Sequence, residues 1–187
     1  MLAAELLRHG HPPAAAEPQP GSALSLRATA ERRGAELQLS YQLSGPLETL
    51  RIPPPEPHPQ RRDGLWRHTC LEAFLALAGQ EGYWELNLAP SGHWNLYRLD
   101  GYRHNLRPDP TLQALALDGE RSACQLQLRA RLPLPAALAE ALAEGRELEL
   151  ALTAVLEHGD GSLSYWALAH PPGDPDFHWR GGWRRCR

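Results

Sequence analysis

Lysine is absent: all nineteen basic residues of this 187-residue chain are arginines. Schiff-base chemistry, pyridoxal phosphate attachment and a phosphate-loop lysine are therefore excluded whatever the fold. Abundant Ala, Leu and Pro point to a compositional bias, so arginine richness by itself says little about function. Met1 is the one methionine, which removes haem ligation by a His/Met pair and leaves bis-His ligation open. Cys70, Cys124 and Cys186 are odd in number and without paired spacing, so neither a disulfide framework nor a zinc ribbon follows. No apolar run approaches membrane-spanning length. The opening MLAAELLRHGHPPAAAEPQP lacks a basic start, a long apolar core and a small-residue cleavage site, the pattern expected of a cytoplasmic protein. A net charge of -3 gives no electrostatic case for nucleic acid or membrane. Rossmann, phosphate-loop and G-x-S-x-G signatures are missing, as is any internal repeat.

What is present is concentrated between Gly64 and Arg103, which hold seven of the thirteen aromatic residues. Strands are expected over 68–77, 83–88 and 93–99, joined by turns at 78–82 and Pro90-Ser91-Gly92, as a three-stranded meander. Successive side chains of a strand face opposite ways. Trp84, Leu86 and Leu88 therefore share a core face, and Tyr83, Glu85 and Asn87 share the other. The first strand is apolar on both faces except at Glu72, so it is central and Glu72 is at least partly buried. An ionised carboxylate there needs a partner or a ligand, and Arg67, Arg98 and Arg103 are the nearby candidates.

The rest of the chain serves as scaffold. Residues 1–21 are expected to be a flexible segment, opening with a short helix over Leu2 to Arg8, and residues 22–187 a single domain. Alternation predicts a hairpin from Leu24–Thr29 and Leu37–Leu43, and a short strand at Leu50–Ile52. The proline-rich 53–59 is a surface loop. Further strands are expected at 112–117, 122–132, 147–156 and 162–168. The one convincing helix is 135–144, with proline in its first turn and Gly145 beyond its end. Nine or ten strands and little helix make an antiparallel β-sandwich, jelly-roll or immunoglobulin-like, the economical architecture.

Three constellations carry chemistry. Trp66, Trp94, Tyr97 and Tyr102 with Glu72, Glu85, Asn87 and Arg103 are the residue types of a sugar site: rings stack on aromatic faces, and hydroxyls bond to planar carboxylate, amide and guanidinium groups. Against this, strand aromatics commonly serve as core or cross-strand pairs. Glu72 and Glu85 are also the residue types of a glycosidase pair, whose spacing is three-dimensional. His170, Asp176 and His178, with His68 or His104, are plausible ligands for metal or haem, although their spacing matches no strong motif. Cys70 lies within a buried strand, where a thiol is inert.

The runs W-R-H-T-C-L-E-A-F-L (66–75), Y-W-E-L-N-L-A-P-S-G-H-W-N-L-Y (83–97) and G-Y-R (101–103) resemble the DOMON-like superfamily, close to family 9 carbohydrate-binding modules. The closing A-H-P…P-D-F-H (169–178) is similar to stand-alone bacterial members. The resemblance implies a β-sandwich whose ligand, sugar or haem, sits between the sheets or over one concave face. By matching position it implies that Trp66, Glu72, Glu85, Asn87, Trp94, Tyr97 and Arg103 line or support the site, with His170, Asp176 and His178 at its rim. The missing methionine departs from cytochrome-type members. The expectation is a non-catalytic binder of a carbohydrate or sugar-containing small molecule, with no cofactor, nucleic acid or membrane. A haem- or metal-binding redox or sensor protein is the alternative.

Overall fold

The computed structural model describes residues 1–10 and 23–186. In chain order its strands are β1 (Leu2–Glu5), β2 (Leu7–Arg8), β3 (Ser25–Arg33), β4 (Glu36–Ser44), β5 (Cys70–Leu77), β6 (Tyr83–Leu88), β7 (Trp94–Leu99), β8 (Arg107–Pro108), β9 (Ala116–Arg121), β10 (Gln125–Pro133), β11 (Leu148–Glu157), β12 (Leu163–Ala167) and β13 (Arg184–Cys186). One α-helix, α1 (Ala136–Ala143), connects β10 to β11. The strands form two antiparallel sheets, one ordered β1-β3-β4-β10-β9, the other β2-β12-β11-β5-β6-β7-β8 with β13 also on β11. This is the expected β-sandwich.

Binary patterning explains why the sheets face each other. In β4 the inward Leu37, Leu39, Tyr41 and Leu43 are buried while their neighbours are only half-buried, so the first sheet has one wet face. Those side chains pack on Leu71, Ala73 and Leu75 of β5 and on Trp84, Leu86 and Leu88 of β6. Each fully buried Leu contributes about 1.5–3 kcal/mol relative to exposure. Across the same interface the Tyr41 hydroxyl donates to the Glu72 carbonyl at 2.5 Å, satisfying the buried phenol.

The second sheet is buried on both faces. All eight residues of β5 and all six of β6 are buried, so something also covers the outer side. That cover is a second apolar cluster of Phe74, Ala76, Tyr83, Tyr97, Leu99, Ala151 and Trp183, with Trp66 and Phe177 packed against it. Trp66 arrives on a 3-10 turn, Leu65–Arg67, and Phe177 and Trp183 arrive on the carboxyl-terminal tail.

Two local expectations are corrected. Residues 2–8 form no helix: Leu2–Glu5 pairs with β3 and Leu7–Arg8 with β12. A short apolar run such as LAAELL has no decisive period, and the open edge of β3 supplies the hydrogen bonds that an isolated helix would have to make alone. Leu6 is buried, and its N–H reaches the Leu26 carbonyl at 2.8 Å. Residues 2–8 thus belong to the sheets, while the rest of the segment expected to be flexible, from residue 11 on, lies outside the described residues. Leu50–Ile52 makes only an isolated bridge, Leu50 to His158, because proline follows at once.

Candidate ligand-binding cavity

On the outer face of the second sheet is a cavity of about 650 Å³. Its floor is set by strand register. Glu72 of β5 lies opposite Asn87 of β6, and Phe74 lies opposite Glu85, so the two glutamates occupy diagonal positions on one face. Both carboxylates line the cavity and are buried, Glu72 at 2% and Glu85 at 4% exposure. Thr153 Oγ1 donates to Glu72 Oε2 at 3.4 Å, and Asn87 Nδ2 donates to Glu85 Oε1 at 2.9 Å. Among the described residues, Glu72 Oε1 and Glu85 Oε2 have no hydrogen-bond partner.

Burial, and then the charge of Glu85, pushes the Glu72 carboxyl well above the usual carboxylate range. Burial likewise raises Glu85, against the lowering effects of the Asn87 bond and the Arg103 charge. No arginine answers the expected need of Glu72 for a cation: among the described residues no ion pair reaches either glutamate. Arg98 instead stacks on Trp84 at 3.9 Å, Arg103 pairs with Asp176 at 2.9 Å, and Arg67 is exposed at the rim. Burial and their mutual repulsion thus favour the protonated, neutral form of these carboxyls over two buried charges.

The walls are aromatic. Gly64, at φ 74°, allows the tight entry to the Leu65–Arg67 turn. The turn sets Trp66 edge-on to Tyr97, with ring centroids 5.6 Å apart. Asp63 Oδ1 fixes this wall from behind by accepting from Tyr97 Oη at 2.9 Å and Asn95 Nδ2 at 2.8 Å. Phe74, Tyr165 and Phe177 complete the apolar lining, with Phe177 6.0 Å from Tyr165 and 6.5 Å from Phe74.

The tail closes the cavity as a strap, and Asp176 is its fastening. Its carboxylate accepts from Arg103 Nη2 at 2.9 Å, Tyr102 Oη at 2.9 Å and the His178 N–H at 3.0 Å. Burial pushes its carboxyl up, but the hydrogen bonds from Arg103 and Tyr102 win and hold it below the usual range. His178 Nδ1 lies 2.6 Å from Tyr83 Oη, which accepts from the Arg103 N–H at 3.2 Å. The Tyr83 hydroxyl then donates to Nδ1, and the neutral His178 ring carries its own proton on Nε2. Burial, with the Arg103 charge, depresses His178 to about 4. Arg103 takes a left-handed backbone, φ 50°, to reach both partners. Further along, Trp183 Nε1 donates to the Phe177 carbonyl at 3.0 Å, and Arg180 stacks on Trp183 at 4.1 Å.

Of the residues expected at a site, Trp66, Glu72, Glu85, Arg103 and His178 line this cavity. Asp176 supports it through Arg103, Asn87 through Glu85, and Tyr97 through Trp66. Two expectations are corrected. Trp94 points between the sheets, buried in the main core with the Arg61 guanidinium 4.7 Å above its ring. His170 fastens the amino-terminal strand: its Nε2 donates to the Leu7 carbonyl at 2.8 Å, and its ring meets His9 edge-on at 5.0 Å. The two tail histidines therefore serve different partners, and among the described residues no group of three His, Cys, Asp or Glu side chains gathers. Sequence reasoning missed Phe74, Tyr165 and Phe177 as walls. Phe74 was signalled by the two-faced apolarity of its strand; the other two carried no local signal.

The fold and cavity define a class, an antiparallel β-sandwich with a roofed pocket on the outer face of one sheet. Comparison with solved structures agrees on the sandwich. A candidate carbohydrate-binding protein from Bacteroides uniformis aligns with a TM-score of 0.62 at 13% identity, over 87% of this chain and 77% of that one. A family 9 carbohydrate-binding module from Caldicellulosiruptor kristjanssonii aligns less closely in two structures, at 10% identity over 85% of this chain. Its glucose complex gives a TM-score of 0.47 over 72% of that chain, and its cellotriose complex 0.46 over 70%. No known family profile and no curated protein sequence matches the chain.

Proposed function

We propose that this protein is a non-catalytic binder of a carbohydrate or sugar-containing small molecule, held in the cavity on the outer face of the second sheet. The observation that carries the reading is the composition of that cavity. Aromatic walls at Trp66, Phe74, Tyr165 and Phe177 surround a floor of two buried carboxylates, each with an unpartnered oxygen. Flat apolar walls with a few convergent acceptors suit a ring that shows C–H faces sideways and donors downward. A sandwich shared with a candidate carbohydrate-binding protein is in keeping with this.

A binding role suits the carboxylates better than hydrolysis. A glycosidase places its two carboxyls on either side of the scissile bond, whereas Glu72 and Glu85 stand side by side on one floor beneath whatever occupies the cavity. On this reading the chain is a DOMON-like relative of family 9 modules that acts in the cytoplasm without a cofactor.

A glycan-array screen on the purified protein, followed by calorimetry on the hits, tests the proposal. Binding that weakens at least about tenfold in Glu85→Gln, the cost of roughly one charge-assisted hydrogen bond, is expected. An array without hits, or turnover of a bound glycan, overturns it.

A further inference from the structure

The cavity floor carries two buried carboxyls whose hydrogen-bonding capacity the described residues do not fill. Glu72 Oε1 and Glu85 Oε2 are both buried at the cavity floor and, among the described residues, without a hydrogen-bond partner. Below and beside them, Cys70, Tyr41 and Tyr83 are neutral, their thiol and phenols pushed up by burial. On the next strand Tyr97 is raised in the same way. At the rim Arg103 is neutralised by Asp176, His178 is neutral, and Arg67 is exposed to solvent. Farther along the strap Arg180 is taken by Glu149 at 3.0 Å. Among the described residues the carboxyl pair therefore has no cation of its own, since Arg103 is taken by Asp176, Arg180 by Glu149, and Arg98 lies over the Trp84 ring.

We infer that the deep end of the cavity recognises an ammonium group, so that the ligand class is an amino sugar rather than a neutral one. The inference rests on the sugar-binding reading for the body of the ligand and on the two orphaned carboxylate oxygens for its cation. A neutral hydroxyl donates one hydrogen bond and leaves a buried charge uncompensated. An ammonium supplies three donors and a full positive charge, enough to meet both orphan oxygens. The aromatic faces of Trp66 and Phe74 add attraction for the same charge. In the empty cavity a proton on the carboxyl pair takes this part, and the ligand cation displaces it to solvent.

Calorimetric titration of the full chain with glucosamine, N-acetylglucosamine, glucose and cyclohexylamine between pH 5.5 and 7 tests the inference. Glucosamine is expected to bind at least about tenfold more tightly than its N-acetylated form or glucose, the two neutral probes. Its affinity is expected to climb toward about tenfold per pH unit, because each binding event expels a proton from the carboxyl pair. Glu72→Gln, and separately Glu85→Gln, should each remove the preference while keeping the melting transition of the fold. Glucose binding as tightly as glucosamine, with an affinity flat or falling as pH rises, overturns the inference and leaves the sugar reading standing. Cyclohexylamine binding without any sugar keeps the cation site and sinks the sugar reading, and silence from every probe sinks both.

Discussion

The Asn87 amide donates to Glu85 Oε1 at 2.9 Å, although the residue opposite Asn87 in the ladder is Glu72. One amide thus serves one carboxylate of the pair, while Glu72 leans on the longer Thr153 bond. The asymmetry has a measurable consequence. Asn87→Ala strips Glu85 of a buried donor and is expected to cost about 1–3 kcal/mol. Urea unfolding at pH 7 checks it, and a midpoint equal to that of the unaltered protein would show that the bond contributes nothing.

The carboxyl pair also sets a slope in stability against pH. Both groups hold their proton more tightly folded than unfolded. The stability this supplies is complete below the unfolded value, about 4.3, and is lost as pH rises through the raised folded values. Above about pH 7.5, where an ordinary histidine has lost about nine-tenths of its proton, stability should fall with rising pH. Glu72→Gln removes one of the two charges, so it should flatten that slope and exceed the unaltered protein in stability at pH 8. Urea midpoints at pH 6.5, 7.5 and 8.5 for both proteins decide the matter, and parallel curves would sink it.

His178 imposes the opposite sign in a lower window. Its folded value, about 4, lies below the ordinary 6.5. The stability it contributes is present above 6.5 and is lost as pH falls through about 4, since the buried ring on Tyr83 must then accept a charge beside Arg103. At about 1.4 kcal/mol per pH unit across that interval the loss is about 3 kcal/mol. His178→Gln keeps a neutral polar side chain and should cancel this component. The check is the difference between the two proteins' unfolding free energies at pH 4 and pH 7.

Asp176 concentrates three bonds of the strap on one side chain, two of them charge-assisted by its own carboxylate alone. Asp176→Asn keeps the shape but removes the charge that Arg103 answers. A cost of about 1–2 kcal/mol is expected, concentrated in residues 174–183 because the sheets do not depend on the strap for their ladders. Hydrogen exchange read by mass spectrometry should show faster exchange there and unchanged protection in β5 and β6. Uniform loosening of both would mean that Asp176 holds the whole domain.

How much of this was legible in the sequence depends on the range of the contact that decided it. The meander 70–99 was readable because alternation is local, and it put Glu85 and Asn87 on one face and Glu72 in a buried central strand. The N-terminal strands were not, because LAAELL becomes strand only by meeting β3 and β12. The strap was read as a site-bearing tail, but which histidine serves the site was hidden. His170 and His178 sit in a proline- and glycine-rich coil without a period, and their partners, Leu7 and Tyr83, lie far off in sequence.

Trp94 was misplaced for a reason that gives the sharpest test. The reversal at 90–92 sets Leu88 opposite Trp94 and Glu85 opposite Tyr97. Opposed residues share a face, so Trp94 follows Leu88 into the core, while Tyr97 follows Glu85 toward the cavity. Both tryptophans are aromatic residues of the same segment, yet they should fail differently. Trp94→Ala removes a ring that is 5% exposed and packed between the sheets. Its cost should be about 3–5 kcal/mol of stability, and any ligand effect should disappear once the folded fraction is accounted for. Trp66→Ala removes a half-buried wall resting on Tyr97, so it should melt within a few degrees of the parent and lose most sugar affinity. Melting curves and titrations of the two variants side by side make the comparison. If Trp94→Ala keeps its stability and loses the ligand while Trp66→Ala binds normally, the cavity on the outer face is not the binding site.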